Sequence, residues 1–369
     1  MQIIGIQTPH YAPNYGAQLQ AFALGLAIKD IGYPIEYINR RPAFDGIFKN
    51  CIAEFLHTIE LKTRLKGFLA FEKQYLQPQT KALFTNEDYS KLETNRYKAI
   101  VVGSDQIWRD DYFYSSFEYS PYLYYVPNGE TKKIAYAASF GKDSCNHPLK
   151  RQNKITGFMK DFHAISVREN SGVNILKETF GINNGVWVAD PTLLHTGQSY
   201  IDYFNLSYKQ PQNLVTYLLG RDDGKMKKVK AISEDLNVNK VDIYKSDSFR
   251  FVNHRIRVFL NRFKSVPSVF AWLDLILNAK YVLTDSFHGM VFCILFHKQF
   301  VVLNNEKGGT ERYISLLGKI GLEDRLLAWN TDNKTIQHKM LEPIDYISAD
   351  IKLNEFRLFS KNFLIDALK

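Results

Sequence analysis

Short apolar runs alternate along this chain with stretches whose apolar residues recur at helical spacing. The clearest instance is YVLTDSFHGMVFCILFHKQFVVL, from Tyr281 to Leu303. It predicts a strand over Tyr281–Thr284, a polar turn over 285–289, an apolar helix over 290–296 and a second strand over 300–303. Two buried parallel strands joined by a short crossover make part of a doubly wound sheet. In such sheets ligands bind beyond the carboxyl ends of the strands. His288 and Gly289 fall at that end, beside Ser286. An imidazole there can exchange a proton near neutral pH, and the free N–H groups of a helix start can face an anion. A histidine that only caps the turn is the other reading of the same residues.

The alternation extends over the whole chain. A strand over Ile3–Gln7 leads into the loop 10–16, then a helix over 17–30 stopped by Gly32 and a strand over 35–38. The loop lacks the GxGxxG of a dinucleotide site, although Gly16 lets the backbone approach a ligand. The next strand, 99–102, exits into GSDQIW. There Ser104 and Asp105 form either a hydroxyl-binding group or an Asx turn with Asp105 capping a helix. A tyrosine-rich segment from Tyr112 to Tyr125 suits stacking on sugars or simple packing. Strands over 133–137 and Ala164–Val167 follow, the latter ending at Arg168-Glu169. A helix over Asn170–Phe180 and a strand over 186–188 that exits through Asp190-Pro191 complete the first half.

The polar, tyrosine-rich stretch 198–212 reads as turn-like and places a domain boundary near residue 200, giving domains over 1–200 and 201–353. The second half repeats the alternation: strand 214–219, helix 224–236, strand 240–244, helix 268–278, the Tyr281–Leu303 unit, and a helix over Glu311–Ile320. Arg312 in the first turn of that last helix opposes the helix dipole unless it serves a nearby anion or carboxylate. The C-terminal stretch 354–368 carries Phe356, Phe359, Phe363, Leu364 and Ala367 as an apolar face that needs a partner.

Composition narrows the class. With 369 residues and 45% apolar content the chain can bury two cores. Three scattered cysteines without a CxxC pair argue against a disulfide framework and a zinc site. Without an apolar run of membrane-spanning length or a signal-peptide pattern, a cytoplasmic protein is expected. The net charge of +9 suggests anionic company. Two basic segments fit that: a basic amphipathic pattern over 47–71, which suits an anionic membrane surface or an ordinary sheet-covering helix, and the cluster Arg250–Lys264. No DxD, HxxxH, GxSxG or GxxxxGK[ST] is present, so metal-dependent sugar transfer, zinc hydrolysis, serine acyl transfer and P-loop chemistry lack support. What remains is polar groups at strand ends in both halves. Asn14 and Asp105 lie in the first; Arg168, Ser286, His288 and Arg312 follow. They describe metal-independent group transfer from a phosphorylated donor.

Six blocks in order carry a resemblance: NYGAQLQAFAL from Asn14, VVGSDQIW from Val101, KKIAYAASFG from Lys132, ISVREN from Ile165, DPTLL from Asp190 and YVLTDSFHGMVF from Tyr281. Together they resemble the polysaccharide pyruvyl transferase family over nearly the whole chain. The resemblance implies a GT-B-like α/β fold, two Rossmann-type doubly wound parallel-sheet domains facing a cleft, with the C-terminal helix 354–369 returning to the first domain. It implies transfer of pyruvate from phosphoenolpyruvate, as a ketal, onto two hydroxyls of a surface polysaccharide sugar or its lipid-linked precursor. Phosphoenolpyruvate is then a co-substrate, and no cofactor, metal or nucleic acid is expected. It implies His288 as the catalytic residue, with Arg168, Ser286, Gly289 and Arg312 on the donor side and Asn14, Tyr15, Gly16, Ser104 and Asp105 on the acceptor side. Branches of the family carry an arginine where this chain has Ser286, so Arg312 or the Arg250–Lys264 cluster is expected to replace it. A GT-B glycosyltransferase using a nucleotide sugar and a non-catalytic sugar-binding protein are the competing expectations.

Overall fold

The computed structural model describes residues 2–11, 13–41, 65–110, 119–220, 222–243, 266–304 and 309–369. The Arg250–Lys264 cluster and most of the basic 47–71 pattern lie outside the described residues. From the latter, the helix Lys66–Tyr75 is described, burying Phe68 and Phe71.

Two all-parallel sheets organise the chain. The first joins β1 (Ile3–Gln7), β2 (Ile35–Tyr37), β3 (Tyr97–Val102), β4 (Lys132–Ala138), β5 (Ala164–Val167) and β6 (Val186–Trp187) in the order 2-1-3-4-5-6. The second joins β7 (Asn213–Tyr217), β8 (Asn239–Asp242), β9 (Tyr281–Thr284), β10 (Gln299–Asn304) and β11 (Leu326–Ala328) in the order 11-10-9-7-8. Read from its first strand, the second sheet has the order of the first five strands of its partner. Each is doubly wound, reversing direction beside β1 and β7, and such reversals open a crevice at the strand ends. The registers set the crevice: Gln7 pairs with Val102 where β1 and β3 end, and Tyr217 with Thr284 where β7 and β9 end.

The helix Tyr15–Asp30 is apolar on every side and buried along most of its length, the signature of a helix enclosed by protein. It packs against the helix Lys66–Tyr75, the turn Pro191–Leu194 and the helix Phe287–Leu295, so it joins the two halves. Tyr15 shows the contact: its ring stacks on Trp272 of the second half at 5.2 Å, and its hydroxyl donates to the Pro267 carbonyl.

Three sequence expectations change. The stretch 198–212 is not all turn: Gly197–Phe204 is a helix, N-capped by Thr196, which accepts from the Ser199 N–H, and ended by Asn205 in the left-handed region. Its buried Tyr200, Ile201 and Phe204 are aromatic-rich and few, which hid the helical spacing. The C-terminal helix begins earlier, at Tyr346, because Asp345 accepts from the Ser348 N–H. Phe359 faces solvent, while Phe356, Leu364, Ala367 and Leu368 are buried. The end of this helix lies on the first half of the chain: Phe356 meets Trp187, Phe363 meets Tyr136, and Tyr33 donates to the Leu368 carbonyl. Among the described residues, no helix is long and apolar enough to cross a membrane.

Candidate active site

The helix that carries His288 starts one turn earlier than its apolar run suggests. Ser286 is its N-cap and accepts from the Gly289 N–H, so Phe287 and His288 occupy the first turn. The loop entering it is tied down: Asp285 accepts from the N–H groups of Leu219 and Gly220, at 2.5 and 2.9 Å, bridging the exits of β9 and β7. Gly289 has no room for a side chain, because a Cβ would lie 3.0 Å from the Tyr217 ring and closer still to the Thr284 hydroxyl. Gly289 and Ser286 therefore shape and cap the turn.

His288 is 7% exposed and meets the first half of the chain on two sides. Its ring lies against the backbone of Gly16, where a Cβ would clash with it. Its Nε2 faces the Asp190 carboxylate at 3.6 Å. Asp190, only 1% exposed, is the common point of the site. Its Oδ1 accepts from the Thr192 N–H and hydroxyl at 3.0 and 2.7 Å. Its Oδ2 accepts from the Ser104 hydroxyl and from Nη1 of Arg168, each at 3.0 Å. Burial alone would raise the pKa of this carboxyl. The charge of His288, with Arg168 and the hydrogen bonds from Thr192, outweighs that and holds it well below the usual carboxylate range.

Arg168, at the end of β5, is enclosed by acids. Besides Asp190 it meets Asp105 at 3.4 Å and Glu169 at 3.9 Å, and its guanidinium lies 4.6 Å from the centre of the Phe287 ring. Burial works to lower its pKa, and the three carboxylates more than offset that. Glu169 accepts from the Ser139 hydroxyl and from the N–H groups of Phe140 and Gly141 through one oxygen. Burial pushes its pKa up despite Arg168. Three buried atoms here lack a hydrogen-bond partner: Nε of Arg168, Oε2 of Glu169 and Nε2 of His288. Buried polar atoms of this kind are uncommon in folded proteins, and here all three belong to charged or titratable side chains.

Arg312 differs from Arg168. Its Nε donates to the Gly309 carbonyl, its guanidinium lies 5.9 Å from the Phe287 ring, and it has no ion pair among the described residues. Burial lowers its pKa, Tyr313 opposes this, and the nearby Arg168 lowers it further. Glu169 and Asp105 act on it from farther away, so Arg312 is a cation near carboxylates but in direct contact with none among the described residues, open to an anionic ligand.

The structure thus brings His288, Arg168, Gly16, Ser104, Asp105 and Arg312 together. Ser104 is fully buried, its hydroxyl committed to Asp190 and its N–H to the Gln20 side chain. Asp105 keeps a partly exposed side chain; its Oδ1 accepts from the Gln106 N–H in a local turn, and among the described residues no helix follows directly for it to cap. Asn14 is exposed and caps the helix Tyr15–Asp30 through the Ala17 N–H. Tyr15 is fully buried, its ring and hydroxyl occupied by the contact between the halves. Of the tyrosine-rich segment, 112–118 lies outside the described residues; Tyr122 is packed on Trp108 and Tyr125 donates to Gln7. Asp190 and Phe287 were not singled out as site residues from sequence. The only local signal for Asp190 was an Asp-Pro at a strand exit. Among the described residues no cluster of three or more metal-ligating side chains occurs.

Comparison with solved structures places the architecture. The chain is similar to Arabidopsis thaliana UGT89C1 complexed with UDP-L-rhamnose, with TM-score 0.54 and 8% identity over 100% of this chain and 99% of that one. It is similar to UDP-GlcNAc 2-epimerase from Neisseria meningitidis bound to UDP-GlcNAc, with TM-score 0.54 and 7% identity, covering 100% and 99%. A putative UDP-N-acetylglucosamine 2-epimerase from Listeria monocytogenes gives TM-score 0.54 and 9% identity, covering 98% and 93%. Identities this low speak for the fold alone, which is GT-B-like: two Rossmann-type parallel-sheet domains. No curated protein sequence matches significantly. The family model for polysaccharide pyruvyl transferases, by contrast, matches residues 14–307, which take in β2 to β10 and every residue of the cluster except Arg312. The chain belongs to the polysaccharide pyruvyl transferase family.

Proposed function

We propose that this protein transfers the pyruvyl group of phosphoenolpyruvate, as a ketal, to two hydroxyls of a sugar in a surface polysaccharide or its lipid-linked precursor. The observation that carries this reading is the convergence of two arginines and a histidine on one spot. Nε of Arg168 and Nε2 of His288 are buried without hydrogen-bond partners, and Arg312 beside them has no ion pair among the described residues. A small trianion with a carboxylate and a phosphate matches such a set.

In the proposed mechanism His288 gives its proton to the methylene carbon of the enol phosphate. The C–C double bond becomes a methyl group and leaves an oxocarbenium centre on the adjacent carbon. A sugar hydroxyl adds there, the C–O bond to phosphate breaks, and the second hydroxyl closes the ketal ring. Of the two hydroxyl protons released, one restores the histidine and the other leaves with phosphate. Asp105, the partly exposed carboxylate at the end of β3, is placed to accept a sugar hydroxyl. The basic character of the chain, +9 overall, supports a peripheral approach to an anionic membrane carrying a lipid-linked acceptor.

Phosphate release from phosphoenolpyruvate across a panel of hexoside acceptors, with the product mass, tests the reading. Release should require an acceptor, and the product should gain the mass of one pyruvic acid less one water. His288→Ala should lower kcat by roughly 10²–10⁴-fold while donor binding is kept. Thermal stabilisation by nucleotide sugars, with none by phosphoenolpyruvate, would overturn the reading in favour of glycosyl transfer.

A further inference from the structure

We propose that Asp190 is the positioning residue of the site, orienting the His288 ring and fixing Arg168 through the same carboxylate oxygen. This rests on the pyruvyl-transfer reading above.

The two oxygens of Asp190 have separate surroundings. Oδ1 is bound to the Thr192 N–H and hydroxyl, two residues along the same turn, which fixes the plane of the carboxylate. Oδ2 is where three distant elements meet: Ser104 from the end of β3, Arg168 from the end of β5, and His288 from the helix Phe287–Leu295. The carboxylate is itself anchored from outside. The N–H of Ala189 donates to the Ser360 hydroxyl, and Nε of Arg357 donates to the Leu193 carbonyl, so the C-terminal helix grips the chain on either side of it.

His288 needs this carboxylate because its other surroundings oppose a positive charge. It sits in the first turn of its own helix, and its ring lies against Gly16 in the first turn of the helix Tyr15–Asp30. Both helix starts present the positive end of a dipole. Arg168 adds a cation reached through the same oxygen. Among the described residues Asp190 is the carboxylate that pairs with the imidazole. Ser104, fully buried and uncharged, shares Oδ2 without altering this balance.

The test compares wild type, Asp190→Asn and Ser104→Ala. Asp190→Asn keeps the shape and removes the charge. Phosphate release should fall at least tenfold in kcat, with a smaller change in KM for phosphoenolpyruvate. Ser104→Ala, which removes a neutral partner of the same oxygen, should change kcat less than Asp190→Asn does. The ring resonances of His288, assigned by NMR against a His288→Gln control, should move in Asp190→Asn and keep their wild-type positions in Ser104→Ala. Wild-type kcat and unmoved ring resonances in a folded Asp190→Asn protein overturn the proposal. A wild type inactive on phosphoenolpyruvate overturns the pyruvyl-transfer reading alone, and the ring resonances still decide whether Asp190 holds the imidazole in place.

Discussion

Gly16 and His288 occupy one another's space: a Cβ on Gly16 would lie 2.7 Å from Cε1 of the imidazole and closer to Nδ1 and Cγ. The first turn of one helix is thus a wall for the histidine on another, and that wall has no side chain. Gly16→Ala should turn the ring away from Asp190 or part the two helices. The expected result is a loss of at least tenfold in phosphate release, with destabilisation of about 1–3 kcal/mol from overpacking. Urea midpoints and initial rates on the same preparation check both. Wild-type turnover in Gly16→Ala would show that the contact does not hold the ring.

The two arginines should separate by stability. Arg168→Ala leaves Asp190, Asp105 and Glu169 without their shared cation in a buried setting, a change that typically destabilises by about 3–5 kcal/mol. Arg312→Ala removes a cation with no ion pair among the described residues, so the fold should hold. Its donor affinity, measured by calorimetry with phosphoenolpyruvate, should weaken by about 2–5 kcal/mol. Equal donor affinity in Arg312→Ala and wild type would remove Arg312 from the donor site.

His10 gives a pH signature that owes nothing to catalysis. It is fully buried, with Nδ1 donating to the Thr8 carbonyl, and burial lowers its pKa to about 4 although Glu72 works the other way. The unfolded chain binds a proton on this group near pH 6.5, and the folded protein does not. Its contribution is therefore full above pH 6.5 and is lost as the pH falls from there toward 4, by roughly 3 kcal/mol. Denaturant unfolding of wild type and His10→Gln at several pH values should show a steeper decline for wild type over that window. Parallel declines would mean that His10 is accommodated charged.

Removing the C-terminal helix from residue 354 onward should affect the site at a distance. Phe356, Leu364, Ala367 and Leu368 would lose their burial, at about 1.5–3 kcal/mol for each large side chain. Ser360→Ala, a milder change, leaves the Ala189 N–H unpaired beside Asp190. It should cost about 1–3 kcal/mol and lower kcat more than KM. Normal kcat in a folded Ser360→Ala protein would disconnect the helix from the carboxylate.

Local pattern sufficed for the elements whose signal is local. β1, β5 and β9, the helices Asn170–Phe180 and Glu311–Ile320, and the strand ends carrying Arg168, Asp105 and His288 were legible because buried strands read as short apolar runs and capped turns follow them. The family blocks added the fold and the histidine. Locally weak signals failed: Gly197–Phe204 hid its helix in polar residues, and the C-terminal helix started beyond its apparent face.

What only the tertiary structure decided is which charges meet. Asp190 is 22 residues from Arg168 and 86 from Ser104. Its DPTLL block marked the family but not the groups this carboxylate meets. Nor could sequence tell that Arg168 is ion-paired to three carboxylates while Arg312 has no such pair among the described residues, or that Tyr15 is spent on Trp272. A strand end fixes where a side chain starts, because period and burial are properties of consecutive residues. Its partner, and with it the charge that the site holds, is set by how two sheets and a returning helix pack, and that information is spread over the whole chain.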